Sequence, residues 1–287
     1  MSTTTAPPTG LTEAIAAGHM SGRVWMYSNY HCNLACSYCL TESAPKVPQR
    51  LLDADKMRRV VREAAELGFT EIGITGGEPF LVRDLPELIA EFAQILPVVV
   101  LSNATMFTPP LVDRMRPLAE APVRIQISLD RPDPVPNDEM RGPQNFRKVV
   151  EAVPRLVDAG IGVRIATTLE LGEIQAGPTA EHERLCELHR GLGVADADHV
   201  IRPIVARGRA LTAGMGVGAT RDDLEPELTI TNDGAFWNPF GPTVVGARLD
   251  TDLLLTRTTA PLRISALTML RLVRGRPQGT DSALGIR

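Results

Sequence analysis

Cys32-Asn33-Leu34-Ala35-Cys36-Ser37-Tyr38-Cys39 puts three thiols within eight residues. The spacing is C-x3-C-x2-C, directly after an apolar run, Val24-Trp25-Met26-Tyr27, that reads as a strand. Three thiolates on one strand-end loop can hold three irons of a 4Fe–4S cluster, leaving the fourth iron open to a substrate or cofactor. Two other chemistries group cysteines. Structural zinc closes a tetrahedron with four ligands, and only His31 is near in sequence, adjacent to Cys32 where chelation is poor. A disulfide framework belongs to small secreted domains, whereas this chain is 287 residues long and shows no export signal. The spacing favours the cluster.

The elements that must carry this loop follow from periodicity. A strand over Val24–Tyr30 leads into it. Asp53 then reads as an N-cap, with Met57, Val60, Val61, Ala64 and Leu67 behind it at helical spacing and Gly68 ending the helix. The alternation continues with a strand at Glu71–Thr75, a helix at Leu85–Leu96, a strand at Val98–Ser102, and a helix at Pro110–Ala119. Next come a strand at Val123–Leu129, a helix at Phe146–Ala159, a strand at Ile161–Leu169, a helix at Glu181–Leu192 and a strand at His199–Val205. Six strands alternating with five helices predict a parallel sheet with helices outside, two units short of a closed eight-stranded barrel. Sites in such sheets lie at the C-terminal strand ends. The cysteine loop and Gly76-Gly77-Glu78-Pro79 both fall there.

Before the first strand, a Ser/Thr/Pro-rich stretch, Met1–Gly10, predicts a disordered tail, followed by a short helix from Leu11 to Ala17. After about Arg209 a Gly-rich linker leads to a small appendage. It contains a hairpin around Asn232-Asp233-Gly234, short strands at Val244–Ala247 and Leu253–Thr256, and an amphipathic helix over Pro261–Val273. The expected division is a tail and short helix over 1–21, a barrel over 22–212 and an α+β appendage over 213–287. Net charge is −4 with both signs mixed along the chain, which gives no footprint for nucleic acid or for an anionic membrane. No apolar run is long enough to span a bilayer. Thiolate-bound iron needs a reducing compartment, which points to the cytoplasm.

With these elements in place, the chain resembles a radical S-adenosylmethionine (AdoMet) enzyme. The three-cysteine loop resembles that superfamily's cluster motif. Gly76, Gly77, Glu78 and Pro79 resemble its motif for the methionine amino group. Ser102-Asn103 resembles the ribose-contacting segment, and Ser128-Leu129-Asp130 a Ser-Leu-Asp segment ending the fourth strand. Asn137-Asp138-Glu139-Met140-Arg141-Gly142 and Ile201-Arg202-Pro203-Ile204 resemble the branch of molybdenum-cofactor, PQQ and SPASM-type maturases. The resemblance covers roughly Val24 to Ala210. It implies a partial (β/α)6 barrel of TIM type, and one 4Fe–4S cluster on Cys32, Cys36 and Cys39. AdoMet would sit against Tyr38, Gly76 to Pro79, Ser102, Asn103 and Ser128, with Tyr38 near adenine and Glu78 accepting from the ammonium. One electron, from a flavodoxin- or ferredoxin-type donor, would cleave AdoMet to a 5′-deoxyadenosyl radical that takes a hydrogen atom from substrate. Taken alone, Tyr38 also reads as core filling, and Ser102, Asn103 and Ser128 as strand-end caps.

The sequence departs from that branch in its appendage, which in relatives holds auxiliary clusters. After Cys39 only Cys186 remains, inside a helix, and Phe240 stands where the resemblance places a cysteine. The appendage is therefore expected to be a cluster-less remnant covering the barrel mouth, and Cys186 a buried apolar residue. Two enzyme readings stay open: a small polar metabolite (sugar, nucleoside or amino-acid type) changed without net oxidation, or a ribosomally made peptide. Arg124, Gln126, Arg164, Thr168, Glu170 and Arg202 are expected on or near the barrel strands, where they suit a polar substrate. A non-catalytic iron–sulfur or zinc scaffold is the alternative of another class.

Overall fold

The computed structural model describes residues 10–275. The tail expected before Gly10 lies outside them. Helix α1 (Leu11–Ala16) precedes β1 (Arg23–Tyr27), α2 (Ala54–Glu66), β2 (Glu71–Thr75), α3 (Leu85–Phe92) and β3 (Val98–Ser102). Then come α4 (Pro109–Met115), β4 (Val123–Ser128), α5 (Pro134–Arg141), α6 (Asn145–Asp158) and β5 (Gly162–Leu169). Helices α7 (Leu171–Gln175) and α8 (Ala180–Gly191), strand β6 (His199–Pro203) and helix α9 (Arg209–Thr212) complete the barrel portion. Beyond it lie β7 (Thr229–Ile230), β8 (Ala235–Phe236), β9 (Val244–Val245), β10 (Arg248–Leu249), β11 (Leu254–Thr256) and α10 (Leu262–Arg274).

Strands β1 to β6 pair in parallel in chain order and do not close, so the chain is a partial (β/α)6 barrel with β6 at its edge. Helices cover its outside because each presents an apolar stripe. In α2 the buried set is Met57, Val60, Val61 and Ala64, and Asp53 Oδ1 caps the helix by accepting from Lys56 N at 2.9 Å. Strands β1 to β3 are buried on both faces, as a doubly covered parallel sheet requires. Trp25, Met26, Ile72, Ile74, Val100, Ile125 and Ile165 join one continuous core with the helices. Helices α5, α7 and α9 lie outside the expected set: α7 and α9 are too short to show an apolar period, and the residues α5 buries, Asn137 and Arg141, are polar.

The appendage does not form a separate cover. Strand β7 pairs in parallel with β1, β8 folds back on β7 around Asn232-Asp233-Gly234, and β11 pairs with β8. The barrel's own sheet thus runs on to nine strands. The stretch from Phe240 to Val244 reaches the mouth, where Val244 N donates to Leu40 O at 3.1 Å. Arg207 fixes this stretch with Nε on Thr243 Oγ1 (2.7 Å) and a bidentate pair to Asp252 (2.8 and 2.6 Å).

Glu227, beside this junction, is 2% exposed. Its Oε1 accepts from Ser21 Oγ at 3.2 Å and Arg23 Nη1 at 3.4 Å. Burial pushes its pKa from 4.5 up to about 7, against the pull of Arg23. Between those values the folded chain holds a proton that the unfolded chain has lost, so Glu227 erodes stability as pH rises through that window. Glu227→Gln is expected to remove this slope. The variant should be the more stable protein above neutrality, by on the order of 3 kcal/mol at most. Urea denaturation of both proteins at about pH 5 and about pH 8 checks the sign.

Candidate functional site

The C-terminal ends of the barrel strands surround a cavity of about 170 Å³. Cys32, Cys36 and Cys39 line it from the loop after β1, and Gly76 and Gly77 from the turn after β2. Ser102 and Asn103 reach it from the end of β3, Ser128 from β4, Thr168 from β5 and Arg202 from β6. Tyr38, Arg141 and Phe240 also line it.

The first two loops are stitched together through backbone. Gly77 N donates to Asn29 O and Glu78 N to His31 O, both at 2.9 Å. A β-carbon on Gly77 would lie 2.0 Å from His31 O, so only glycine allows this approach. Glu78 does not line the cavity, contrary to the role expected for it. Its Oε1 accepts from Phe80 N (3.0 Å) and Ser102 Oγ (2.9 Å), and Oε2 from Asn103 N (2.8 Å). Full burial pushes its carboxyl up to about 7, with those three donors pulling the other way. Both oxygens therefore pin the end of β3 to the β2 turn. Pro79 opens a buried turn, Pro79–Leu81, and likewise stays off the cavity wall.

The cysteine loop is held from several sides. Arg209 Nη1 donates to Cys36 O (2.6 Å), its Nη2 to Ser43 O, and its backbone N to Cys39 O (2.9 Å). Gly208, with φ +57°, brings that arginine so close that a β-carbon there would sit 2.2 Å from Leu40 O. Cys32 Sγ receives Leu34 N at 3.4 Å and Asn103 Nδ2 at 3.5 Å. Burial pushes the Cys32 thiol up to about 12 and the Cys36 thiol up to about 11. Both therefore stay protonated unless a cation displaces the proton. Among the described residues no three His, Cys, Asp or Glu converge well enough to hold one metal ion. Three free thiols around one cavity fit a cluster, in which each thiolate takes its own iron, better than a mononuclear zinc site.

Beside the thiols, in contact with Cys36 through the Arg141 carbonyl at 3.4 Å, lies a buried charged network. Asp130 is fully buried, and its Oδ1 accepts from Thr168 N at 2.9 Å. Oδ2 accepts from Tyr38 Oη at 2.5 Å and pairs with Arg141 Nη1 at 3.2 Å. The same nitrogen donates to Tyr38 Oη. Burial works against the Arg141 charge, yet Tyr38, Cys36 and Asp130 hold its pKa above the ordinary value. Sequence reasoning assigned no role to Asp130 or Arg141. Each lay inside a quoted motif, but nothing in their spacing shows that eleven residues bring them into contact.

Of the polar barrel residues, Thr168 and Arg202 line the cavity and four others do not. Arg124 pairs with Asp198 near the opposite, N-terminal end of the strands, and Arg164 lies close to the same pair. Gln126 is buried between, and Glu170 accepts from Gly216 N at 3.0 and 3.1 Å. Strand alternation fixes which face a residue takes, not its height along the barrel. Cys186 also departs from expectation. It is half-exposed on α8, with Sγ 3.5 Å from His182 Nε2 and 3.8 Å from His199 Nδ1.

An open parallel barrel gathers three thiols and a Gly-Gly turn at its mouth. The comparisons give its family. The model of the Radical SAM superfamily matches residues 26–173, and the chain belongs to that superfamily. It is 31% identical over 133 residues to a probable GTP 3′,8-cyclase of Methanococcus maripaludis, covering 45% of this chain and 43% of that protein. It is 34% identical over 140 residues to an AdoMet-dependent heme synthase of Nitratidesulfovibrio vulgaris, covering 48% and 38%. The match thus spans less than half the length of either relative. In fold the chain is similar to native anSMEcpe with bound AdoMet and Cp18Cys peptide, with TM-score 0.60, 11% identity and coverage of 89% and 84%. It is also similar to Streptococcus suis SuiB bound to S-adenosylmethionine, with TM-score 0.53, 17% identity and coverage of 66% and 43%. No helix among the described residues is long and apolar enough to cross a membrane.

Proposed function

We propose that this chain holds one 4Fe–4S cluster on Cys32, Cys36 and Cys39, cleaves AdoMet reductively beside it, and takes a hydrogen atom from a small polar metabolite. The observation that carries this is the meeting of all three thiols with Gly76, Gly77, Ser102, Asn103 and Ser128 on one cavity. The cluster and AdoMet together supply, on one-electron reduction, the 5′-deoxyadenosyl radical. The chain's residues do the rest. Backbone groups of Gly76 and Gly77 approach the methionine end, and Ser102, Asn103 and Ser128 offer hydrogen bonds to the sugar. Tyr38, held by Asp130 and Arg141, gives the cavity a fixed aromatic wall. Leu34, Leu40 and Phe240 shield it from water. A flavodoxin- or ferredoxin-type protein supplies the electron, in a reducing cytoplasm.

Outside the cysteine loop this chain carries one cysteine, too few thiolates for a second cluster. The substrate radical is then quenched without auxiliary iron, which favours a net redox-neutral outcome such as epimerisation, elimination or decarboxylation. The curated relatives named above act on small molecules, which favours a metabolite. The peptide complex among the similar folds keeps a ribosomally made peptide as the second reading. Anaerobic reconstitution should give about four irons per chain and 5′-deoxyadenosine on reduction. With substrate, the product should be isomeric or lighter by water or carbon dioxide. About eight irons, or a product two hydrogens lighter, overturns the redox-neutral reading. Zinc in place of iron, or no 5′-deoxyadenosine, overturns the enzyme.

A further inference from the structure

Two cations line the cavity, and they are not equivalent. Arg141 is neutralised by Asp130. Arg202 makes no ion pair among the described residues; its Nε donates to Thr168 Oγ1 at 3.3 Å, and its guanidinium faces the cavity. Asp130, the acid whose charge acts on Arg202, already serves Thr168 N, Tyr38 and Arg141. The other arginines of this region are also engaged: Arg207 by Asp252, and Arg209 by the carbonyls of Cys36 and Ser43. Desolvation pulls the Arg202 pKa below its ordinary value, with Arg141 adding repulsion against the attraction of Tyr38 and Asp130. An unpaired guanidinium withdrawn from water is costly to the fold. With Nε tied to Thr168, the two terminal nitrogens are left as a fork, the geometry that matches a carboxylate or a phosphate.

Arg202 also stands apart from the groups assigned to AdoMet. Those groups come from β1 to β4, whereas Arg202 and its neighbours Thr168, Pro203 and Ile204 come from β5, β6 and the segment beyond. We infer that Arg202 is the substrate's anion anchor: the metabolite carries a carboxylate or phosphate that binds end-on to this guanidinium. This deepens the proposed function and rests on it. The polar substrate class becomes an anionic one, and the anchor holds its reacting carbon at a fixed distance from the AdoMet side.

The test titrates the AdoMet-bound, reconstituted protein with inorganic phosphate and, separately, with acetate, by isothermal calorimetry under anaerobic conditions. Wild type should bind at least one of the two saturably, and which one identifies the anionic group. Arg202→Met should weaken that binding at least about tenfold, and Arg202→Lys should recover part of it. AdoMet affinity, titrated separately, should stay within about twofold of wild type in both variants. Equal anion binding by wild type and Arg202→Met overturns the inference, as does absence of binding by wild type. A tenfold loss of AdoMet affinity in Arg202→Met reassigns the arginine to AdoMet and also overturns it. If wild type binds the anion through Arg202 but forms no 5′-deoxyadenosine, the proposed reaction falls while the anion site stands.

Discussion

Replacing Cys32, Cys36 or Cys39 by alanine, one at a time, is expected to strip reconstituted protein of most of its iron and to reduce AdoMet cleavage to background. The size of the effect follows from the number of ligands. A cluster held by three protein thiolates has no spare one, and the cavity offers no other sulfur, because Cys186 lies on the outer helix α8 beside His182 and His199. The three thiols are not equal in their surroundings. Cys32 is tied by Leu34 N and Asn103 Nδ2, while the loop bearing Cys36 and Cys39 is gripped by Arg209. Folding of the scaffold should survive each change, since Arg209 holds the loop by its backbone carbonyls whatever side chain stands at the cysteines. Cys186→Ala is the control and should retain about four irons and full cleavage. Iron and sulfide content, with 5′-deoxyadenosine formation, are the measurements. Retained cleavage in two of the three loop variants would refute the ligand assignment.

The parts of the molecule that repeat were readable before any coordinates. Alternating β and α periods gave the six barrel strands within a few residues, because apolar strands and amphipathic helices record burial in their sequence. The C-terminal placement of the cysteine and glycine loops followed from topology alone. What could not be read was set by distance in space. Glu78 looked like a ligand-facing acid, yet its two oxygens meet donors on β3, a strand that its own sequence says nothing about. The appendage hairpin was visible in Asn232-Asp233-Gly234, but not its pairing with β1. That contact joins chain segments some two hundred residues apart, with short strands carrying little pattern. Arg124 and Arg202 lie on strands of one barrel, and only the register shows that one sits at the bottom and the other at the mouth.

Asp130→Ala is expected to be the most damaging change outside the three loop cysteines. The aspartate is wholly buried and satisfies Thr168 N, Tyr38 Oη and Arg141 Nη1 together. Removing it leaves the Arg141 guanidinium, itself only 6% exposed in its side chain, without a counter-charge. Breaking a buried ion pair from one side costs about 3–5 kcal/mol, chiefly because the remaining charge stays desolvated. Asp130→Asn should be milder, since its carbonyl oxygen can still accept from Thr168 N, but its amide then faces the donors of Arg141. The loss reaches the cavity through Tyr38. Once Asp130 is gone, the Tyr38 hydroxyl keeps only Arg141, itself stranded, so the ring that walls the cavity is held less firmly and AdoMet affinity should fall along with stability. A double-mutant cycle separates the two contributions. Arg141→Met in the Asp130→Ala background removes the stranded charge and should restore part of the lost stability, giving a coupling of about 1–3 kcal/mol. AdoMet binding should not recover with it, because Tyr38 remains untethered. Urea denaturation of the four proteins, with AdoMet titrations on each, gives both readings. Additive losses of stability would mean that Asp130 and Arg141 act independently, and unchanged AdoMet affinity in Asp130→Ala would mean that Tyr38 is fixed without Asp130.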